Sequence, residues 1–232
     1  MRNFRHFPLP TIAVSVAAAV TVFSTSSARA ASIMENYSFG GLALGIPDGN
    51  PSGLTDTHSI SGSRITHIES ITVTLDLSGS FNGDLYAYLT NGSDISILLN
   101  RVGSASGNTF GYDHDGFNIT LDDLAATNVH SYGSLITPAI GSPLTGSWQP
   151  DGRLIDPNLV LDTDAPTANL SAFVGGDLNG DWTLFVADLS SGDNHVLESW
   201  SLQVVGIPEP SSILGLACLL GSGIMLRTRR LV

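Results

Sequence analysis

The 232-residue chain contains no lysine, only one cysteine and few charged residues of either sign. All nine basic residues are arginines, and six of them lie in the first 29 or the last six positions. Residues 31–206 hold three arginines against 20 acidic residues, which gives a formal charge of −17. So acidic a surface repels nucleic acid and anionic lipid, which proteins bind through basic side chains. The sequence therefore predicts no nucleic-acid partner. It fits a divalent cation, a basic partner or simply a well-solvated surface.

Motifs for catalysis are also missing. The single cysteine, Cys218, lies in the C-terminal apolar run, so residues 31–206 can form no disulfide and have no thiol chemistry. The chain has neither a Gly-x-Ser-x-Gly nor a His-Glu-x-x-His motif. Its six histidines could be combined with many serines and aspartates, but no local motif selects one set. We therefore expect a protein that is not an enzyme.

The first 30 residues have the pattern of a secretory signal peptide. Arg2 and Arg5 form a basic start, and an apolar segment runs from Ile12 to Phe23. Ala28-Arg29-Ala30 provides the small residues that signal peptidases cleave behind. We expect an N-terminal signal helix that is removed after residue 30 or 31, so that the rest of the chain is exported. An uncleaved membrane helix is the alternative.

The C-terminal end combines a proline motif, a short apolar run and a basic cluster. Pro208, Glu209 and Pro210 precede the uncharged residues 211–226, and Arg227, Arg229 and Arg230 follow. A stable spanning helix needs about 20 apolar residues, so this run predicts a short transmembrane helix held at the cytoplasmic face by the arginines. Proline fixes φ and donates no hydrogen bond, so the motif is expected to be extended and accessible to a peptidase.

These features together resemble the PEP-CTERM sorting signal of Gram-negative bacteria, here over residues 207–231. The family usually begins its motif with valine, where this chain has Ile207. The resemblance implies processing by an exosortase, a membrane-embedded peptidase, in bacteria that often make exopolysaccharide. The protein would cross the inner membrane, be transiently anchored there, and then reach the cell envelope, the outer surface or the medium. A plain C-terminal membrane anchor is the alternative.

Residues 33–206 alternate apolar and polar residues with the period of half-buried β-strands. The alternation is clearest in four segments, residues 71–78, 85–90, 182–187 and 200–205. Asn-Gly, Asp-Gly and Gly-Asp turns separate them. Many short strands with such turns predict an all-β fold, a jelly-roll-like antiparallel β-sandwich. Trp182 and Trp200 are expected in its core, and its last strand is expected to end near Val205, before Pro208.

Two segments of this region are similar to one another. FNGDLYAYLT at residues 81–90 and LNGDWTLFVA at residues 178–187 both continue from Asn-Gly-Asp into an alternating strand. Either a duplicated repeat or two turn-and-strand units of one sandwich would produce this similarity. The second explanation is simpler.

The same region resembles the P domain, or P/Homo B domain, which follows the catalytic domain of proprotein convertases and some bacterial subtilisin-like proteases. The most specific matches are Asn179-Gly180, Trp182-Thr183-Leu184 and the Leu-x-Ser-Trp-x-Leu pattern of residues 197–202. The resemblance covers about residues 46–206. It implies a jelly roll that supports a protease and catalyses nothing itself. Residues 155–175 depart from the family pattern, because they are longer and more acidic.

Several aspartates lie in predicted turns, where their carboxylates could bind Ca²⁺. The candidates are Asp84, Asp113, Asp115, Asp122 and Asp123. The segment that starts at Asp177 also resembles a calcium loop, but Trp182 stands where such a loop needs glycine. Solvated turn residues are the alternative. The sequence thus predicts no obligatory cofactor and leaves calcium as the one candidate, which some P domains bind.

The sequence leaves two functions open. In the first, the chain is a non-catalytic surface or matrix protein that uses its sandwich for binding or adhesion, with exopolysaccharide as a partner. In the second, it is an accessory P domain that supports a separately encoded subtilisin-like serine protease.

Overall fold

The computed structural model describes residues 31–209, and these contain nine β-strands and three short 3-10 helices. The strands are β1 (Ile33–Ile46), β2 (Leu54–Ile60), β3 (Ile65–Ser78), β4 (Leu85–Thr90), β5 (Ile95–Asn100), β6 (Phe117–Leu121), β7 (Leu144–Trp148), β8 (Gly180–Asp188) and β9 (His195–Pro208). The 3-10 helices are Asn82–Asp84, Val129–Ser134 and Leu170–Phe173. Within the described residues no helix is long and apolar enough to cross a membrane. The expected signal helix and C-terminal helix lie outside them.

The strands form two facing sheets, which confirms the predicted all-β sandwich. One sheet has the order β1-β9-β3-β6-β7 and the other the order β2-β8-β4-β5. All pairs are antiparallel except β6 with β7. Without the short β7, the two sheets have the orders β1-β9-β3-β6 and β2-β8-β4-β5. Eight strands arranged in this way form a jelly roll.

The core lies between the sheets and follows the alternation of the sequence. On β4 the odd-numbered residues are buried and the even-numbered residues are half-buried on the outer face. Trp182 and Trp200, the two tryptophans expected in the core, are 0% and 1% exposed. Each buried indole N–H has an acceptor, the Leu178 carbonyl at 2.9 Å and the Asp56 carboxylate at 2.7 Å. Both rings are therefore buried without leaving a donor unpaired.

The two similar segments of the sequence become neighbouring strands. β4 and β8 pair antiparallel, from Leu85 opposite Asp188 to Thr90 opposite Thr183. Tyr88 and Phe185 occupy the same place in the two segments and lie opposite one another, so a local twofold relates the strands. Both segments are thus turn-and-strand units of one sandwich, an arrangement that a duplicated repeat would also produce.

The domain ends slightly later than the sequence predicted. β9 continues to Pro208, beyond the expected end near Val205 and beyond the domain limit at residue 206. Pro208 lies opposite Ile65, whose N–H donates to Ser63 and whose carbonyl accepts from Leu178, so this pair needs no hydrogen bond from the proline. The expectation that Pro208 lies outside the sheet was wrong, because a proline is accommodated where the strand loses its ladder partners.

Candidate binding groove

Three aromatic side chains lie together on the outer face of the four-stranded sheet. Tyr86 and Tyr88 take the outward positions of β4, and Phe185 takes one on β8. Since Tyr88 pairs directly with Phe185, their rings stack with centroids 4.8 Å apart and planes 16° from parallel. Tyr86 lies edge-on to both rings, at 6.0 and 6.3 Å. With Leu189, these rings line a groove of about 510 Å³.

One wall of the groove is the turn between β1 and β2, with Pro51 at its rim. Gly53 allows this turn to approach the sheet closely. Its φ is +54°, and a Cβ atom there would lie only 2.7 Å from the ring of Phe185. Glycine alone tolerates both conditions easily. The Asn50 N–H donates to the Asp188 carbonyl at 2.9 Å, which fixes the turn against β8.

The other wall is the loop after Arg153, from Ile155 to Asn158. The buried Arg153 guanidinium donates to the carbonyls of Leu161 at 3.2 Å and Asp162 at 3.0 Å, so the loop closes on the arginine. From β5, the Asn100 carboxamide donates to the carbonyls of Arg153 and Ile155 at 2.9 and 3.1 Å. Both ends of this wall are thus attached to buried side chains.

A buried ionic network supports this loop from below. His130 Nδ1 lies 2.7 Å from Asp151 Oδ2, and His130 Nε2 lies 2.9 Å from the Ser104 carbonyl. Both ring nitrogens therefore face oxygen atoms. The Arg153 guanidinium lies 3.3 Å from Asp151 Oδ1, and the side chains of His130 and Asp151 are fully buried. A fully bonded network of this kind rigidifies its surroundings.

The groove combines an aromatic floor with a polar rim. No described residue forms a hydrogen bond with the hydroxyl of Tyr86 or Tyr88. Burial raises the pKa of the Tyr86 hydroxyl, with smaller contributions from Tyr88 and Asp151, so the hydroxyl remains a donor at neutral pH. At the rim, Asp156 Oδ1 accepts from the backbone and side chain of Asn158, at 2.9 and 3.1 Å. Asp156 Oδ2 and Asn158 Oδ1 have no partner among the described residues and can accept from a ligand.

The predicted metal-binding aspartates lie in three separate places. Asp84 is buried beside Arg101, whose guanidinium lies 3.5 Å away. Burial raises the pKa of Asp84, against the opposing effects of the Ser190 hydroxyl and the Arg101 guanidinium. The carboxylate is thus part of a buried cluster with Asp188 and His195, and one of its oxygens, Oδ1, has no hydrogen bond.

Three of the other four predicted ligands accept hydrogen bonds from the loops around them. Asp113 and Asp115 flank one histidine, and Asp115 accepts from the Gly141 N–H at 2.7 Å. Asp123 accepts from the N–H groups of residues 170 and 171 at the start of the last 3-10 helix, and Asp122 accepts from the backbone of its own turn. Within residues 31–209 no three His, Cys, Asp or Glu side chains are grouped to hold a metal ion.

The described histidines form no relay with a serine hydroxyl. Three histidine–aspartate contacts occur in residues 31–209: His58 with Asp56, His130 with Asp151, and His195 with Asp188. His130 Nε2, the nitrogen away from Asp151, contacts the Ser104 carbonyl. His195 Nε2 is buried and has no hydrogen-bond partner. In a Ser-His-Asp relay the serine hydroxyl bonds to the histidine nitrogen that does not face the aspartate. His130–Asp151 and His195–Asp188 join loops and strand ends, and His58–Asp56 lies within β2.

The predicted sorting motif begins at the edge of the domain. Pro208 and Glu209 line a second groove, of about 430 Å³, with Arg64 and Asn179. The Glu209 N–H donates to the Arg64 carbonyl at 3.2 Å. Pro210 and the three C-terminal arginines, Arg227, Arg229 and Arg230, lie outside the described residues.

The sequence analysis missed the aromatic groove. Its signal was present in the alternation itself, since Tyr86, Tyr88 and Phe185 occupy positions where a soluble sheet normally carries polar residues. The walls had no comparable signal. They depend on Gly53 and Arg153, whose roles appear only when distant loops are placed on the sheet.

Comparison with known proteins identifies no family. No protein-family model matches the chain, and no curated protein matches it. Among solved structures, it is similar to the serine protease of Aeromonas sobria in complex with its chaperone, with a TM-score of 0.41, 17% identity and 77% of this chain covered. It is also similar to the structure of the Aeromonas sobria serine protease, with a TM-score of 0.40, 18% identity and 76% of this chain covered. The chain spans only 28% and 27% of those chains. Similarity of this degree assigns neither a family nor a function.

Proposed function

We propose that the protein is an exported, non-catalytic binding protein that attaches to an extracellular polymer through the groove over Tyr86, Tyr88 and Phe185. The observation that carries the proposal is this grouping of three aromatic rings on the solvent side of a sheet. Other outward residues nearby include Thr57, Thr90 and Thr183. Apolar side chains gathered in a concave site with a few polar groups are typical of binding sites.

Export and sorting form part of the same proposal. The signal-like residues 1–30 would direct the chain across the inner membrane of a Gram-negative bacterium. The tail from residue 207 would then be processed by an exosortase-type peptidase, leaving the protein in the envelope or outside the cell. Support comes from Glu209, which is exposed at the surface of the domain directly before the apolar run.

Binding is tested with the extracellular matrix of the producing bacterium. The full chain and its Tyr88→Ala variant are passed over immobilised matrix, with Phe110→Ala as a matched control, because Phe110 is 66% exposed and lies outside the groove. We expect Tyr88→Ala to lower retention about tenfold, a loss of about 1.4 kcal/mol, and Phe110→Ala to leave it unchanged. Circular dichroism checks that both variants are folded.

Two results would contradict the proposal. Matrix retention that does not depend on Tyr88 would show that the groove is not the binding site. Recovery of a subtilisin-like protease in stoichiometric amount, with no polymer, would instead establish the accessory-domain alternative.

Sorting is tested separately with Glu209→Ala, since Pro208 also pairs within the sheet. We expect the variant to accumulate unprocessed in the inner membrane. Normal processing of the variant would show that Glu209 is not part of a processing signal. This conclusion does not depend on the matrix experiment.

A further inference from the structure

We infer that the polymer held in the groove is an uncharged polysaccharide. The inference rests on the proposed function, because it names the ligand class of the same groove. Three properties of the site support it: the aromatic floor, the kind of polar atoms left free at the rim, and the absence of an exposed positive charge beside them.

The floor suits the apolar face of a sugar ring. Aromatic rings carry negative charge on their faces, so they attract the C–H groups that line one side of a pyranose. Tyr88 and Phe185 stack on one another across adjacent strands, so each ring covers one face of the other and offers a ligand its outer face and its edge. Tyr86 lies edge-on to both rings and extends the aromatic surface along β4. Both walls are attached to the scaffold, so the site is formed before a ligand arrives and little ordering cost opposes binding.

The rim offers acceptors, and sugars offer hydroxyl donors. Asp156 Oδ2 and Asn158 Oδ1 are the free atoms of the rim, since Asp156 Oδ1 already accepts from Asn158. A polysaccharide presents O–H groups to such acceptors, and the hydroxyls of Tyr86 and Tyr88 can donate in return. A proline-rich peptide also fits aromatic grooves, but its backbone supplies carbonyl acceptors and few donors. The free atoms of this rim therefore favour the polysaccharide.

Charge excludes the anionic polysaccharides. Of the three arginines in residues 31–209, Arg101 and Arg153 are buried, and Arg64 is exposed beside Pro208 in the other groove. Uronate, sulfate and phosphate groups would find no counter-charge in the aromatic groove and would meet the carboxylate of Asp156. A polycation would find only that one exposed carboxylate among the groove's lining residues.

The test separates the native matrix by charge. Matrix treated with protease is divided by anion exchange into neutral and charged polysaccharide, and each fraction is cast into a native gel through which the full chain migrates. We expect the neutral fraction to slow wild-type migration and the charged fraction to have no effect. Tyr88→Ala should weaken the retardation about tenfold, and Phe110→Ala should behave as wild type. Retardation should persist in added NaCl, because no ion pair contributes.

Other outcomes overturn the inference and are distinguishable from failure of the proposed function. Tyr88-dependent binding to the charged fraction, or loss of all binding after the protease treatment, would show an anionic or a peptide ligand while the groove remained the binding site. Tyr88-dependent binding of poly-L-proline would also favour a peptide. Binding that is independent of Tyr88 in both fractions would overturn the proposed function as well.

Discussion

Asn82 and Asn179 form the same pair of hydrogen bonds at two places in the sandwich. The Asn82 carboxamide accepts from the Gly116 N–H at 2.8 Å and donates to the Gly116 carbonyl at 3.0 Å. The Asn179 carboxamide accepts from the Ser63 N–H at 2.9 Å and donates to the Ser63 carbonyl at 3.1 Å. Each asparagine thus joins the turn before β4 or β8 to the backbone just before β6 or β3 in the other sheet.

The two contacts are expected to differ in strength because they differ in burial. Asn82 is fully buried and also donates to the Tyr132 hydroxyl, whereas Asn179 is half-buried. Asn82→Ala leaves the buried Gly116 N–H unpaired, at about 1–3 kcal/mol for the unsatisfied donor, whereas the Gly116 carbonyl still accepts from the Leu144 N–H at 3.0 Å. Asn179→Ala should cost about 1 kcal/mol, because water can replace the side chain. Urea unfolding measures both variants, and equal losses would contradict this account.

Local pattern predicted most of the fold. The alternation at Leu85 to Thr90 and at Trp182 to Ala187 identified both strands and their buried faces, because period two depends only on neighbouring residues. The end of β9 was predicted wrongly. Whether Pro208 fits depends on Ile65, which has its own hydrogen-bond partners and lies far away in the sequence.

The candidate groove could be predicted only in part. Outward aromatic residues are visible in the sequence, but their grouping requires β4 and β8 to be adjacent and in register. The sequence predicts several acidic turns as candidate Ca²⁺ ligands. Asp84 shows why sequence alone could not decide this, since its carboxylate is buried next to Arg101, about which neighbouring residues give no information.

The buried network of His130, Asp151 and Arg153 predicts that Asp151→Ala lowers the free energy of unfolding strongly. The change leaves two buried partners, His130 and Arg153, without their carboxylate. Removing one member of a buried ionic network typically costs about 3–5 kcal/mol. Asp113→Ala is the control, because Asp113 is exposed and should change the free energy of unfolding by less than about 0.5 kcal/mol. A small loss for Asp151→Ala would show that the network does not stabilise the loop.

Because the hydroxyl of Tyr132 is buried, we expect the domain to lose stability in alkaline solution. Burial raises the pKa of its hydroxyl well above the ordinary value, although the Asn82 side chain opposes the shift. The folded protein therefore keeps a proton that an unfolded tyrosine releases near pH 10. Stability from this residue is complete below about pH 10 and falls as the pH rises further, because the unfolded state then binds fewer protons.

The measurement is the urea midpoint as a function of alkaline pH, with tyrosinate absorbance recorded in parallel. Tyr132→Phe should lower the midpoint at neutral pH, since it removes the hydroxyl that contacts Asn82 and His114. It should also make the alkaline decline shallower than in the wild type. An unchanged slope would mean that the hydroxyl does not resist ionisation in the folded state.

Two truncated chains test whether the folded domain includes the end of β9. A chain that ends at Glu209 keeps the pairs of Ile207 with His67 and of Pro208 with Ile65, so its thermal midpoint should match that of the domain in the full chain. A chain that ends at Gly206 loses both pairs and uncovers Ile65, which is otherwise 0% exposed. We expect it to be less stable by about 1–3 kcal/mol, since burial of one such side chain contributes about that much. Thermal unfolding of both products measures the difference. Equal midpoints would contradict this account and place the end of the folded domain at Gly206.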